Sequence, residues 1–226
     1  MPEQVEPPIA RRGRSAKPPL TTHSIVEAAL GLIQRLGVDA VALRQVAEQV
    51  ETGPASLYAY FDGRDALLEH VLDAAYAQVQ LIDDDARGWR SALADTIVNT
   101  IMTLEQYPGL GAVALGTIPV LPGALRLAEH ELTLMEAGGV PAHRAALAVD
   151  LIAQFAASSA IERTVRSSGT RGVGERARVR AAYEDADPER FPHIREQAAL
   201  LTSPDEQARR DFAIRVLIDG IEGSTS

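Results

Sequence analysis

The 226-residue chain carries a formal net charge of −9 and contains no cysteine. Its length suits one small and one larger domain. The missing cysteine excludes disulfides, thiolate metal sites and cysteine nucleophiles. No apolar run approaches the roughly 18 residues that a membrane span needs, and the amino terminus has no signal-type apolar segment. We therefore expect a cytoplasmic protein with no membrane partner.

The charge is divided unevenly along the chain. Residues 1–64 contain seven Lys and Arg and seven Asp and Glu, so the acidity belongs to the remainder. The proline-rich arm, residues 1–19, is expected to be flexible because it cannot pack as a helix. Two interpretations of it stay open: a solvated tail, or an arm that phosphates or a minor groove would order. Its basic cluster consists of Arg11, Arg12, Arg14 and Lys17.

Residues 20–64 are predicted to form three short helices. The first has apolar residues at helical spacing and stops at Gly37. The third begins at Pro54, a residue that the first turn of a helix tolerates. Two helices joined by a short turn that contains Gly53 are typical of a helix-turn-helix. The second helix is defined by Leu43, Val46, Ala47 and Val50.

The third helix has residues suited to a DNA groove. Small residues at its start let the backbone approach a duplex, while Ser56, Tyr58 and Tyr60 offer hydroxyls to phosphates or base edges. Leu57 and Phe61, four residues apart, are expected to turn inward. The two tyrosines also admit a plainer interpretation, as surface or core aromatics.

Residues 65–226 are predicted to form a helical bundle, which makes the whole fold all-α. No strand pattern is convincing, and alanine is frequent. The glycine-rich stretch 167–176 is expected to be a mobile surface loop. Helices are predicted at about 64–81, 89–106, 123–137, 142–166 and 205–222, with a short helix and loops over 109–123.

Two of these helices are candidates for self-association. Small residues along the helix at 142–166 allow close approach of another helix. The helix at 205–222 supplies Phe212, Val216, Leu217 and Ile221. We favour a homodimer over packing within one subunit.

No catalytic site is predicted, so an enzyme is not expected. His130 and Glu131 lack the second His of a zinc-protease motif, and the glycine-rich stretch lacks the ending of a phosphate loop. The three aspartates at 83–85 are more typical of an acidic loop than of a metal site. We expect neither a metal nor a cofactor.

The run from Thr21 to Leu68, especially GPASLYAYFDGRDALL, resembles the amino-terminal domain of the tetracycline-repressor (TetR) family. Trp89, VALGTIP at 113–119 and FAIRVLIDGIE at 212–222 resemble the carboxy-terminal domain of its tetracycline-repressor branch. The resemblance implies an all-α homodimer with a DNA-binding domain at 20–64 and a ligand-binding and dimerisation domain at 65–226. Such proteins bind a palindromic operator and release it when a small molecule enters the second domain.

The resemblance also implies which residues touch DNA. Glu51 departs from the family because Gly usually occupies this turn, and Glu51 requires a different or a strained conformation. Arg64 replaces a Lys with its charge kept, and Ala42 stands where Ser or Thr commonly caps the second helix. The implied DNA contacts are Arg44, Pro54, Ala55, Ser56, Tyr58, Ala59, Tyr60 and Arg64.

For the ligand, the resemblance excludes as much as it implies. Ala114 replaces the His that coordinates magnesium in tetracycline-binding members, and Ile118 replaces an Arg. A magnesium–tetracycline complex is therefore not expected, and a mainly apolar inducer is. The implied lining consists of Thr96, Thr100, Leu104, Ala114, Thr117, Ile118, His130, Leu134, Gln154 and Glu162.

Two functions remain open at this point. The first is a ligand-responsive regulator, by family analogy a repressor, whose partners are double-stranded operator DNA and a small molecule. The second is a helical dimer without operator binding, acting as a protein-interaction or ligand-sequestering module. Glu51 and the acidic total favour the second; the retained DNA-contact residues and the basic arm favour the first more.

Overall fold

The computed structural model of the chain describes residues 19–167, 172–203 and 205–223, so the basic arm lies almost entirely outside it. The described residues form helices and no strand. A 3₁₀ turn, Val38–Ala40, separates the first two helices. The α-helices in chain order are α1 Thr22–Leu36, α2 Leu43–Gln49, α3 Pro54–Leu57, α4 Arg64–Ala77, α5 Trp89–Glu105, α6 Leu110–Gly116, α7 Pro122–Ala137, α8 Ala142–Ser167, α9 Gly172–Glu184, α10 Pro192–Glu196, α11 Ala198–Thr202 and α12 Glu206–Gly223.

Helix α1 illustrates how local sequence sets the helix ends. The Thr21 hydroxyl accepts a hydrogen bond from the Ser24 backbone N–H at 3.1 Å, while the Thr21 N–H donates to the Ser24 hydroxyl at 3.0 Å. This reciprocal pair satisfies two amide groups that a helix start otherwise leaves open. At the other end, Gly37 has a φ of 79°, which glycine adopts at little cost. The predicted stop at Gly37 is confirmed.

One apolar core runs from the first three helices into the rest of the molecule. It includes Ile25 and Leu57 on one side and Leu104, Leu110 and Leu127 on the other. Helix α4 lies between them, because its buried face contacts both α1 and α7. The core therefore continues across residues 64 and 65 without a break.

A direct backbone bond also ties the two parts together. The Val38 N–H donates to the Pro108 carbonyl at 2.8 Å, joining the 3₁₀ turn to the corner between α5 and α6. Gly109 packs against Val38 so closely that an added Cβ would lie 3.1 Å from the valine Cβ. The 3₁₀ turn and the corner between α5 and α6 are thus in direct contact.

A second apolar core lies among α5, α7, α8 and α12. Helices α8 and α12 run antiparallel: Arg144 near the start of α8 donates to the carbonyls of Ile221 and Glu222 at the end of α12. At the opposite end, the Arg209 guanidinium donates to Glu162 at 3.3 Å. These contacts fix the pair at both ends.

Helix α7 packs on α4 through a glycine. A Cβ on Gly123 would lie 2.2 Å from the Asp73 carbonyl oxygen, so no other residue fits without a shift of one helix. The Asp73 carboxylate accepts from the Ala124 N–H at 3.0 Å and thereby caps the start of α7. Helix α7 is thus anchored on the helix that connects to α1–α3.

Most predicted helices match the structure closely, but three regions differ. Helix α4 ends at Ala77 rather than near residue 81. Residues 172–176, expected to be loop, belong to α9, while 168–171 lie outside the described residues. Helices α10 and α11 were not predicted. By length and composition Ala142–Thr164 of α8 could cross a membrane, although the core helix of a globular protein passes the same test, and α8 packs against α5 and α6.

Candidate nucleic-acid interface and effector site

Two buried aromatic and aliphatic side chains hold the third helix in place. Leu57 is fully buried and Phe61 nearly so, as expected from their spacing. Phe61 packs edge-on against His70 of α4, with ring centroids 5.3 Å apart. Because one face of α3 is anchored in this way, its remaining residues must face outward.

The outward face of α3 and of the turn after it carries six of the predicted DNA-contact residues. Tyr58 is 60% exposed and Tyr60 38% exposed. The Tyr60 hydroxyl donates to the Leu20 carbonyl at 2.8 Å, and the Thr52 hydroxyl donates to Ser56 at 3.0 Å. The structure therefore brings hydroxyls and small side chains together on one surface. The exposed members of this surface are Pro54, Ala55, Ser56, Tyr58, Ala59 and Tyr60.

The two flanking arginines differ in their surroundings. Arg44 is highly exposed and pairs only at 3.6 Å with Glu48, four residues later, an arrangement worth well under about 1 kcal/mol. Arg64 instead donates to the carbonyls of Val38 at 2.7 Å and Val41 at 2.9 Å. Its guanidinium ties the start of α4 to the 3₁₀ turn between α1 and α2. Of the two, Arg44 is the better placed for a phosphate, and a DNA contact by Arg64 stays a prediction.

The turn between α2 and α3 contains Glu51, where Gly was expected from the resemblance. Its φ is 53°, in the left-handed region that side chains with a Cβ rarely adopt. The Thr52 N–H donates to the Ala47 carbonyl at 2.8 Å and closes the turn around it. Glu51 therefore adopts a conformation that glycine reaches more easily, at a local energetic cost.

Helix α2 lacks one capping bond, as expected from Ala42. Alanine offers no acceptor, yet the Gln45 side chain accepts from the Ala42 N–H at 2.6 Å and donates to the Ala40 carbonyl at 2.7 Å. Half of a capping box is therefore retained. Leu43 packs partly against the first core and completes the start of the helix.

A wall of buried polar residues lies on α5. Thr96 is fully buried and Thr100 nearly so. The Thr96 hydroxyl accepts from the Ile82 N–H at 3.3 Å, and the Thr100 hydroxyl donates to the Thr96 carbonyl at 2.9 Å. His130 of α7 has Nε2 3.0 Å from the Ile82 carbonyl, which assigns a proton to that nitrogen. Leu104 and Leu134, also expected in the ligand lining, are buried beside this wall.

Three of the expected lining residues are exposed within one chain, and their contact with a ligand stays a prediction. Ile118 is 87% exposed because it follows α6 in extended backbone. Gln154 lies on the outer face of α8 and donates to Asp150 at 2.6 Å. Glu162 is exposed and pairs with Arg209 of α12. Ala114 and Thr117 are half-buried at the end of α6.

The space beside the α6–α7 loop is small. A cavity of about 10 Å³, enough for one water, is lined by Tyr76 and Leu72 of α4 together with Thr117, Leu121 and Ala124. A drug-sized molecule would have to displace the loop, whose Ile118 and Val120 are exposed.

One residue of this region was missed by the sequence analysis. Glu131 on α7 is only 3% exposed, and burial raises its pKa to about 8. Burial, together with the charge of Glu131, raises the pKa of Tyr76 to about 12. A Glu that follows a His in a helix gives no sequence signal of burial, because charged residues are usually solvated.

The acidic linker has an ordinary explanation. The Asp85 carboxylate accepts from the Arg87 N–H at 2.8 Å, and this bond lowers the Asp85 pKa. Arg87 also donates to Asp95 at 2.8 Å. Within the residues that the structure describes, no group of acidic or histidine side chains could hold a metal ion.

Helices α8 and α12 share an exposed apolar face. Leu147 is 73% exposed and Leu151 50%, while Phe212 is 62% and Val216 52% exposed. These four residues line an open depression of about 570 Å³. Of the predicted small-residue stripe, Ala145, Ala156, Ala157 and Ala160 instead point into the subunit.

Comparison with known proteins agrees with this arrangement. Residues 25–71 match the family model of bacterial regulatory proteins of the tetR family. Residues 83–224 match the tetracyclin repressor-like C-terminal domain.

Relatives and solved structures extend the match over most of the chain. The transcriptional repressor DrrR1 of Streptomyces coeruleorubidus is 26% identical over 94% of this chain and 81% of its own length. The tetracycline repressor protein class A of transposon 1721 from Escherichia coli is 28% identical over 87% and 94%. ActR of Streptomyces coelicolor, solved in complex with actinorhodin, has a TM-score of 0.82 and 28% identity over 90% of this chain and 97% of that one.

An all-α chain with an exposed recognition helix on a continuous core defines a helix-turn-helix transcriptional regulator. The chain belongs to the TetR family, whose members are DNA-binding regulators that respond to ligands rather than enzymes.

Proposed function

We propose that the protein is a ligand-responsive repressor that binds a palindromic operator as a homodimer in the cytoplasm and is released by a mainly apolar small molecule. The observation that carries this proposal is the segment 54–61, made of α3 and the turn after it, in which Leu57 and Phe61 are buried while Ser56, Tyr58 and Tyr60 are exposed. Such a helix offers a groove hydroxyls and a close backbone approach.

The homodimer is supported by the exposed apolar face of α8 and α12. Exposing Leu147, Leu151, Phe212 and Val216 together to water is costly, and burial against a second copy removes this cost. An isologous contact about a two-fold axis also places two recognition helices on one duplex, as a palindromic site requires.

The apolar inducer is supported by the wall at α5 and α7. The hydroxyls of Thr96 and Thr100 both take part in hydrogen bonds within the protein. The other buried side chains expected there, Leu104 and Leu134, are apolar. Ala114 cannot ligate a metal. The printed title of the ActR complex names actinorhodin, which makes this compound a reasonable first probe.

The second candidate is a dimeric interaction or sequestering module without operator binding. Glu51 favours it, because a carboxylate in the turn before α3 would repel phosphates. The exposed Arg44 and the hydroxyl-bearing face of α3 favour the repressor more.

The test begins with selection of bound fragments from genomic DNA, followed by measurement of affinity for the selected site and a scrambled one. Ser56→Ala and Tyr58→Ala should reduce discrimination between the two duplexes. Arg44→Ala should weaken binding to both and lower the salt slope by about one unit. Arg180→Ala is the matched control, since it also removes an exposed arginine that pairs with a Glu four residues later.

Release is then measured with actinorhodin in the presence and absence of a chelator. Magnesium-independent release is expected because of Ala114. Equal affinity for selected and scrambled duplexes would favour the sequestering module, and release that needs magnesium would contradict the proposed ligand class.

A further inference from the structure

The helix-turn-helix domain, residues 20–64, is acidic. It contains three arginines and five acidic residues, which gives it a net charge of −2. Duplex affinity depends on how many phosphates a protein neutralises, so this charge opposes DNA binding. All five carboxylates are exposed: Glu27, Asp39, Glu48, Glu51 and Asp62.

The three arginines of this domain offset little of that charge. Arg64 is partly buried and donates to two backbone carbonyls. Arg44 is exposed, but its guanidinium lies 3.6 Å from the carboxylate of Glu48. Arg35 is exposed and donates to Gln49 at 3.5 Å. Most of the positive charge that a phosphate backbone requires must therefore come from another part of the chain.

The segment just before this domain has the opposite charge. Between Glu6 and Glu27 the sequence contains four charged residues, and all of them are basic. They are the basic cluster of the arm: Arg11, Arg12, Arg14 and Lys17. The cluster lies outside the described residues, but the point at which it joins the fold is described.

A hydrogen bond fixes that point. The Tyr60 hydroxyl donates to the Leu20 carbonyl at 2.8 Å, and the Leu20 side chain packs partly against the first core. Pro19, the preceding residue, is exposed. Tyr60 belongs to the same exposed surface as Ser56 and Tyr58. The arm therefore joins the fold at the edge of the surface proposed to face DNA, and not on the opposite side of the domain.

Covalent geometry limits the distance of the basic cluster from this point. A chain spans at most about 3.6 Å per residue, so Lys17 lies within about 11 Å of Leu20 and Arg11 within about 32 Å, measured between Cα atoms. On B-DNA the next minor groove lies half a turn, roughly 17 Å, from the centre of the major groove. The cluster can thus reach the minor groove beside a bound α3. The negative potential of a narrow minor groove attracts arginine and lysine side chains.

We propose that residues 11–17 bind the DNA minor groove beside α3 and supply most of the electrostatic attraction of the protein for duplex DNA. The inference rests on the proposed function for its partner, the operator duplex. It assigns to the arm a role that a domain with a net charge of −2 does not perform.

The test measures affinity for the selected operator and a scrambled duplex at several salt concentrations. The arm variant of the full chain carries Arg11→Gln, Arg12→Gln, Arg14→Gln and Lys17→Gln. Its plot of log affinity against log salt concentration should be less steep by about three to four units on both duplexes, since each neutralised phosphate contributes about 0.9.

A control variant loses four exposed arginines outside the helix-turn-helix domain, so its net charge changes equally. It carries Arg178→Gln, Arg180→Gln, Arg190→Gln and Arg195→Gln, and its salt slope should equal that of the wild type. An unchanged slope in the arm variant, or an equal change in both variants, would overturn the proposal.

Hydroxyl-radical footprinting locates the contact on the duplex. The wild type should protect a stretch of minor groove beside each half-site, and the arm variant should lose this protection while it still binds the operator at low salt. The same footprint for both proteins would overturn the proposal. Failure of the wild type to bind any duplex would contradict the repressor as well, whereas operator binding with an unchanged salt slope in the arm variant contradicts the role of the arm alone.

Discussion

At the residue scale, two glutamates lie in energetically unfavourable conformations or surroundings. Glu51 has a φ of 53°, in the left-handed region, and the side chain of Glu131 is only 3% exposed. Both have an energetic cost that packing elsewhere must offset. Each therefore gives a measurable effect when it is replaced.

Replacing Glu51 separates backbone strain from charge. Glu51→Gly should raise the free energy of unfolding by up to about 1 kcal/mol, because glycine adopts a φ of 53° without a Cβ penalty. Glu51→Gln keeps the Cβ, so its stability should change little while its affinity for duplex DNA increases. Urea titration and DNA titration at one salt concentration measure the two effects. If Glu51→Gln increased the stability as much as Glu51→Gly, backbone strain at Glu51 would be contradicted.

The buried Glu131 makes stability depend on pH. Its folded pKa of about 8 lies above its ordinary value of 4.5, so the folded state holds the proton more tightly and the associated stability is lost as pH rises between these values. Tyr76, the neighbouring titratable group, stays protonated throughout with a pKa of about 12. Relative to Glu131→Gln, the wild type should lose up to about 1.4 kcal/mol per pH unit between pH 5 and 8. Parallel stability curves of the two proteins over this range would disprove the buried acid.

At the element scale, helices with strong local signals could be predicted and those without could not. Helix α1 has both an apolar period and Gly37 as a stop, and the predicted helices at 89–106 and 205–222 match α5 and α12 within about a residue. Helix α9 was missed because it has no marked apolar face and starts among glycines, while α10 and α11 are only five residues long each.

Some residues of the candidate sites could likewise be predicted from local sequence, and others could not. The inward turn of Leu57 and Phe61 follows from spacing, so the exposed face of α3 could be predicted. The lining at Ile118, Gln154 and Glu162 came from resemblance alone, and nothing in the local sequence indicated that these side chains are exposed. The burial of Glu131 depends on the packing of α7 against α4 and α5, which no local pattern encodes.

The close contact between α4 and α7 gives a prediction at this scale. Gly123→Ala should lower the free energy of unfolding by roughly 1 to 3 kcal/mol, because its Cβ would lie 2.2 Å from the Asp73 carbonyl oxygen and one helix must move. Gly116→Ala is the control, since nothing lies within 4 Å of a Cβ there. Thermal unfolding of both variants decides the matter: equal melting temperatures would contradict the contact.

At the scale of the whole molecule, self-association is the property to measure. Phe212→Asp should shift the protein from dimer to monomer at micromolar concentration, because a carboxylate buried in an apolar interface costs several kcal/mol. Leu200→Asp is the control, since Leu200 is 69% exposed on α11, away from the α8 and α12 face. Analytical ultracentrifugation distinguishes the two states. A dimer that survives Phe212→Asp but not Leu200→Asp would place the interface on α11 instead.

The bond between Val38 and Pro108 limits how such a protein can be re-engineered. Residues 20–64 could not be replaced by the corresponding domain of another regulator without further changes. Their buried side chains pack against Leu104, Tyr107 and Leu110 of the rest of the chain. A chimera would need complementary side chains at this contact and along α4. The helix-turn-helix residues and the rest of the chain therefore share their packing, and exchanging either part requires changes on both sides of residue 64.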